Sequence, residues 1–266
     1  MMSGPARAVL VTGGSSGLGL EVARRLAGRG FVVGLMARDS DRLNSAVLEL
    51  GGNGSRLVAC RGDAAEPADC ARAVAGLIEV AGGLDALVCC AGTSLRAPVA
   101  QTSPAVAEMV MRANFWTVFH SIQAALPALK ARRGALLAVS SLAGHRGVPG
   151  YGVYGAAKRA LVGLCESLRL EVAGDGVHVG VFSPGFFDSP LRSKVLDGNG
   201  AVIEPPPPIP FRLWPLDLCA DIAVHCLEKR VCRRYLPRFV RPLFAFDEAT
   251  GGGVGDRFLR SRFRGL

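Results

Sequence analysis

At 266 residues, half of them hydrophobic and a fifth charged, the chain is long enough for one α/β core and too apolar to be disordered throughout. No apolar run reaches the ~18–20 residues that cross a membrane as a helix, and the run over 8–11 falls short of the ~7–15 residues of a secretory signal core, so a cytoplasmic protein is expected. The net charge is +9, and the segment 229–266 alone holds ten basic residues against three acidic ones; with no nucleic-acid motif beside it, no nucleic-acid partner is expected.

Short β-branched apolar runs predict strands over 8–11, 31–36, 56–59, 86–89, 135–139 and 177–182. Amphipathic stretches over 18–29, 40–50, 67–81, 104–130 and 151–172 predict the helices between them. This alternation, with short turns, predicts an α/β fold: a Rossmann-type doubly wound parallel sheet, as a single domain over 1–266. The segment 186–215 breaks the rhythm with Gly198-Asn199-Gly200 and with EPPPPIP at 204–210, so it is predicted to be a substrate lid or surface loop. In the basic tail over 229–266, prolines at 237 and 242 oppose a continuous helix lying on a membrane, which favours packing on a neighbouring subunit over membrane contact. The eight cysteines form neither CxxC nor zinc-like Cys/His spacing, and are read as reduced, buried thiols with no metal.

The first strand runs into Val11-Thr12-Gly13-Gly14-Ser15-Ser16-Gly17-Leu18-Gly19 and then a helix. Glycines let the backbone approach a pyrophosphate, whose charge is held by the free N–H groups of the helix start. Thr12, Gly13, Ser15, Ser16, Gly17, Leu18 and Gly19 are therefore candidate cofactor contacts. Arg38 follows the second strand where a carboxylate would bind the ribose 2′-hydroxyl and repel a 2′-phosphate, so it favours NADP(H). Asp39, the competing ribose ligand, reads as the cap of the helix beginning near Ser40. Asp63, after the third strand, is placed either to meet the adenine amino group or to cap a helix.

Ser141 ends the fifth strand, and Tyr154 and Lys158 follow thirteen and seventeen residues later. Four residues of helix turn ~400°, so Tyr154 and Lys158 share one face. A neighbouring ammonium favours phenolate, which lets a tyrosine exchange a proton with a carbonyl or alcohol oxygen. The Ser141 hydroxyl can hydrogen-bond that same oxygen, and Asn114 is a candidate for holding a water beside Lys158.

In this order, these motifs resemble the short-chain dehydrogenase/reductase family over about residues 6–195. Thr12, Gly13, Gly17 and Gly19 are similar to its TGxxxGxG, and Asn114, Ser141, Tyr154 and Lys158 to its catalytic tetrad. The resemblance implies that Lys158 also binds the nicotinamide ribose and that Ser183-Pro184-Gly185 borders the nicotinamide, with Pro184 and Gly185 as contacts. It further implies that Ser189 stands where a threonine usually contacts the cofactor, and that the protein is a homodimer or homotetramer formed through the helices carrying Asn114 and Tyr154. The family's NNAG reads Cys89-Cys90-Ala91-Gly92 here, leaving Ala91 and Gly92 as cofactor contacts and one structural asparagine lost. Phe187 replaces the usual aliphatic beside the nicotinamide.

The pocket walls are expected from Leu142, His145, Val148 and Tyr151 on one side and from Phe186, Phe187, Phe211 and Trp214 over the top. Such walls suit a hydrophobic ketone. The expected activity is NADPH-dependent reduction of that ketone to a secondary alcohol. The alternatives are alcohol oxidation by the same residues, a non-catalytic NADP-binding scaffold, and enoyl reduction through Tyr151, whose seven-residue spacing to Lys158 resembles the divergent enoyl reductases.

Overall fold

The computed structural model describes residues 7–51 and 56–263. Seven parallel strands form one sheet: β1 (Ala8–Thr12), β2 (Val32–Ala37), β3 (Leu57–Arg61), β4 (Ala86–Cys89), β5 (Ala135–Val139), β6 (His178–Pro184) and β7 (Arg233–Leu236), in the order 3-2-1-4-5-6-7. The first five of the helices are α1 (Gly17–Gly28), α2 (Ser40–Glu49), α3 (Pro67–Ala81), α4 (Pro104–Met111) and α5 (Thr117–Arg132). They are followed by α6 (Gly152–Glu171), α7 (Leu216–Glu228), α8 (Val240–Ala249) and α9 (Gly253–Arg262). Central strands such as β1 and β5 are buried at every position, as continuous apolar runs covered on both faces must be. One core lies between the sheet and α3, α5 and α6, and the other between the sheet and α1, α2 and α7. Phe182, fully buried in the second of these, contributes about 1.5–3 kcal/mol by leaving water. The strand order reverses between β1 and β4, so a crevice opens there at the carboxyl ends of the strands.

Predicted elements and structure differ in three places. The helix predicted over 104–130 is interrupted by one π turn over Arg112–Trp116. β7 and α7 lie outside the predicted elements: Arg233-Arg234-Tyr235-Leu236 lacks an apolar alternation, yet as an edge strand it pairs with β6 from Val181↔Arg233 to Pro184↔Leu236. The tail also differs, because Pro242 sits in the first turn of α8, where a missing N–H costs nothing. α8 and α9 therefore form in spite of the prolines and pack on their own chain. Residues 264–266 of the tail lie outside the described residues. Among the described residues no helix is long and apolar enough to cross a membrane, no cluster of potential metal ligands occurs, and all eight cysteines are free thiols.

Candidate active site

The crevice is built from strand ends. β1 leads into a turn in which Gly13 takes φ +67° and lies so close to Ala91 that a Cβ would stand 2.9 Å from its backbone. Gly17 takes φ +52°. The N-cap of α1, Ser16, makes no side-chain cap bond, which leaves first-turn N–H groups for an anion. A bare, glycine-walled turn at an uncapped helix start fits a nucleotide pyrophosphate. Ser15 and Leu18 lie in this turn and the first helical residues, whereas Gly19 presses on Gly13, where a Cβ would strike its carbonyl oxygen. Thr12 is buried and its Oγ1 accepts from Ala91 N at 3.4 Å, so it braces the loop against the end of β4.

At the end of β2, Arg38 is exposed and makes no ion pair among the described residues. Asp39 caps α2, its Oδ1 accepting from Asp41 N and Arg42 N at 3.1 Å each. These bonds, led by that from Arg42 N, hold its carboxyl below the usual range, and the Lys194 charge adds to the effect. Asp63 is likewise engaged, accepting from Ala65 N at 3.0 Å and pairing with Arg112 at 3.2 Å.

The reacting end comes from β5 and α6. Ser140 is buried and donates to the Lys158 carbonyl at 3.1 Å, so it locks strand to helix. The half-buried Ser141 accepts from Ala143 N at 3.2 Å, and its hydroxyl faces the Tyr154 phenol. Lys158 is buried, with Nζ donating to the Val139 carbonyl at 3.1 Å and lying 5.9 Å from the centre of the Tyr154 ring. Burial pulls its ammonium down to about 8, with Cys90 and Cys89 acting weakly the other way. The same burial pushes the Tyr154 phenol up to about 12, against a lowering hydrogen bond from Ser141. Burial thus acts on the phenol against the lowering that its four-residue spacing from the Lys158 ammonium predicts.

The π turn widens the helix by one residue and carries Asn114 inward, as such turns often do at functional sites. Its Nδ2 donates to the carbonyls of Val110 at 2.9 Å and Thr93 at 3.1 Å, while the buried Oδ1 has no partner among the described residues. A Cβ on Gly92 would lie 2.7 Å from that Oδ1 and 3.5 Å from Lys158 Nζ, so a glycine here keeps the two polar atoms within one shared space.

The expected pocket residues divide. Tyr151 is buried, with its ring 6.3 Å from Tyr154 and 5.9 Å from Phe186, and burial raises its phenol. Phe186 stacks on Phe211 at 6.1 Å. Leu142 reaches Gly185, where a Cβ would meet its Cδ1 at 3.3 Å, and the Val148 carbonyl accepts from Tyr151 N at 3.0 Å. Phe187 and Trp214 are joined by a bridge and pack on the α1/α7 core, while Trp214 N donates to the Phe186 carbonyl at 3.0 Å. The expected lid is thus zipped at its base, and Pro190 approaches the phosphate turn at Gly17. Ser189 opens the short turn over Pro190–Lys194 with no side-chain cap bond. Pro184 ends β6 and Gly185 N is held by the Leu236 carbonyl at 2.8 Å.

His145 is placed differently from expectation. It is wedged against Tyr235 at 4.8 Å and Phe244 at 6.5 Å, with Nε2 2.9 Å from Ser183 Oγ. Burial, aided by Arg233 and Arg159, lowers it to about 4. It is a neutral seam residue between loop and tail. The residue that sequence reasoning missed is Phe263, which is buried with its ring 6.3 Å from Tyr151 and 5.8 Å from Phe211. Only the Phe/Arg-rich end of the sequence signals it.

A phenol, a hydroxyl and a buried amine at the mouth of a dinucleotide-type crevice define an oxidoreductase acting on CH–OH and C=O groups. The chain matches the family model described as short chain dehydrogenase over residues 7–200, and it belongs to that family, whose members bind NAD(P). It is 36% identical over 189 residues to a protein named as ketoacyl reductase 1 of the granaticin polyketide synthase of Streptomyces violaceoruber, covering 70% of each chain. It is 35% identical over 202 residues to 11-beta-hydroxysteroid dehydrogenase 1A of Arabidopsis thaliana, covering 74% of this chain and 57% of that one. A crystal structure of a dehydrogenase/reductase from Sinorhizobium meliloti 1021 superposes with a TM-score of 0.74 at 26% identity, covering 88% of this chain and 94% of that one.

Proposed function

We propose that the protein reduces a ketone on a hydrophobic substrate to a secondary alcohol with NADPH. The carrying observation is the Tyr154 ring one helical turn from the buried Lys158, whose Nζ lies 5.9 Å from the ring centre, with Ser141 at the end of β5 beside them. When bound, the nicotinamide would supply hydride to the carbonyl carbon. Tyr154 gives its proton to the carbonyl oxygen, and Ser141 donates a hydrogen bond to that oxygen as negative charge develops. Lys158 holds positive charge beside the phenolate that remains and grips the ribose. Asn114 Oδ1 orients water that returns a proton towards Lys158. Aromatic walls from Tyr151, Phe186, Phe211 and Phe263 favour an apolar, flat substrate. The two curated relatives carry names that denote chemistry on ketones or their alcohols. We place the subunit contact of a homo-oligomer on the α4–α5 face, where Met109 and Trp116 are exposed.

NADPH rests on a free Arg38 beside an Asp39 already spent on its helix cap. Titration calorimetry tests it. NADPH is expected to bind at least about tenfold tighter than NADH, about 1.4 kcal/mol, with the preference abolished in Arg38→Asp. Equal binding in the wild type refutes the assignment and returns Asp39 to the ribose.

The Lys158 ammonium, held down to about 8 by burial, sets the pH behaviour. Deprotonation removes the charge that supports the phenolate, so kcat/KM for NADPH is expected to fall as pH rises through about 8. A profile flat to pH 10, as about two units above that value would show, overturns this role.

A further inference from the structure

Phe239, Leu243 and Phe246 are 69%, 51% and 58% exposed. They stand at i, i+4 and i+7 across the start and body of α8, and therefore form one stripe. The inward side of α8 is separate: Val240 and Asp247 are buried, and Phe244 packs on His145 and Tyr235. The helix thus carries a second apolar face that its own fold does not use. Arg238 and Arg241 at the start of α8, and Arg257, Arg260 and Arg262 on α9, are exposed and make no ion pair among the described residues. Of the three acids in the tail, Asp247 and Asp256 both pair with Arg146, and Glu248 makes no ion pair among the described residues. Two such faces apposed in a dimer would crowd arginines of like charge. An apolar stripe on a strongly basic tail whose exposed arginines are unpaired among the described residues instead complements anionic headgroups over acyl chains.

We propose that α8 and the arginines around it dock the protein on an anionic lipid surface, from which apolar ketones reach the site. A path of rings leads from the neighbouring α9 to the site: Phe258 is 47% exposed and lies 6.3 Å from Phe211, which stacks on Phe186, which meets Tyr151 beside Tyr154. This extends the proposed reduction, but its test reads no activity, so failure of one leaves the other standing.

The test is sedimentation of the full chain with phosphatidylcholine vesicles, with and without about one third phosphatidylglycerol, because arginines are drawn to a leaflet only where it carries negative charge. Partitioning is expected to rise at least about tenfold with the anionic lipid, to fall with added salt, and to be lost in the triple variant Phe239→Ser, Leu243→Ser, Phe246→Ser. The double variant Arg238→Glu, Arg241→Glu should lose it as well, with both variants keeping the wild-type thermal midpoint. Equal partitioning on the two vesicle types, or none, overturns the proposal. So does a triple variant that leaves vesicle behaviour unchanged and alters only self-association in velocity sedimentation, which would make the face a subunit contact.

Discussion

Tyr154→Phe is expected to lower kcat for ketone reduction by about 10²- to 10⁴-fold, the range a positioned general acid contributes. The phenol loses only its oxygen, and the ring still packs against Tyr151 at 6.3 Å, so folding and NADPH binding should stay close to wild type. Tyr151→Phe is the matched control. Its phenol is buried against Phe186 and Phe263, at the N-cap of α6 and one turn further from Lys158 than Tyr154 is. It should keep most of the activity while shifting KM for bulky ketones. Stopped-flow or steady-state loss of NADPH absorbance with both variants reads the outcome. The reverse pattern, with Tyr151→Phe inactive and Tyr154→Phe active, would move the acid to Tyr151 and the chemistry to enoyl reduction.

The sheet and the dinucleotide crevice are legible in the chain because each rests on local rules. Buried parallel strands read as unbroken apolar runs, glycines mark the turn against Ala91, and a four-residue spacing puts Tyr154 over Lys158. Asp39 is legible as a cap for the same reason: the bonds are to its neighbours, Asp41 and Arg42. The misplaced features depend on distant partners. β7 is a strand only because β6 offers an open edge. His145 leaves the pocket because Ser183, Tyr235 and Phe244 converge on it from β6, β7 and α8. The π turn that buries Asn114 has no signature in the amphipathic pattern, since one added residue leaves the apolar period on either side intact. The Tyr154 phenol shifts opposite to expectation because spacing reports the nearby ammonium and is silent about burial.

Asp247→Ala is expected to release the tail from the active-site loop. Arg146 stands in that loop between Ser141 and Tyr151, and its Nε lies 3.0 Å from the buried Asp247 carboxylate. Asp247 Oδ1 also accepts from Gly255 N at 2.8 Å, and Arg146 donates to the Gly252 carbonyl at 2.8 Å. One carboxylate therefore joins the loop, α8 and the start of α9. Its loss leaves a half-buried guanidinium with the Gly252 carbonyl and the exposed Asp256, at a cost of about 2–3 kcal/mol, somewhat below that of breaking a fully buried pair. That cost falls on docking of the tail, because the two cores that hold the sheet are built from other residues. Opening of α8–α9 should rise by about 30- to 150-fold, read as faster amide exchange there and faster tryptic cleavage at Arg257 and Arg260. Phe263 would leave Tyr151 and Phe211 with it. KM for large apolar ketones should then rise while kcat for a small ketone stays near wild type. Unchanged exchange in α9 would show that the ring contacts alone hold the tail, and a fall in kcat for small ketones would show that the tail also orients Ser141.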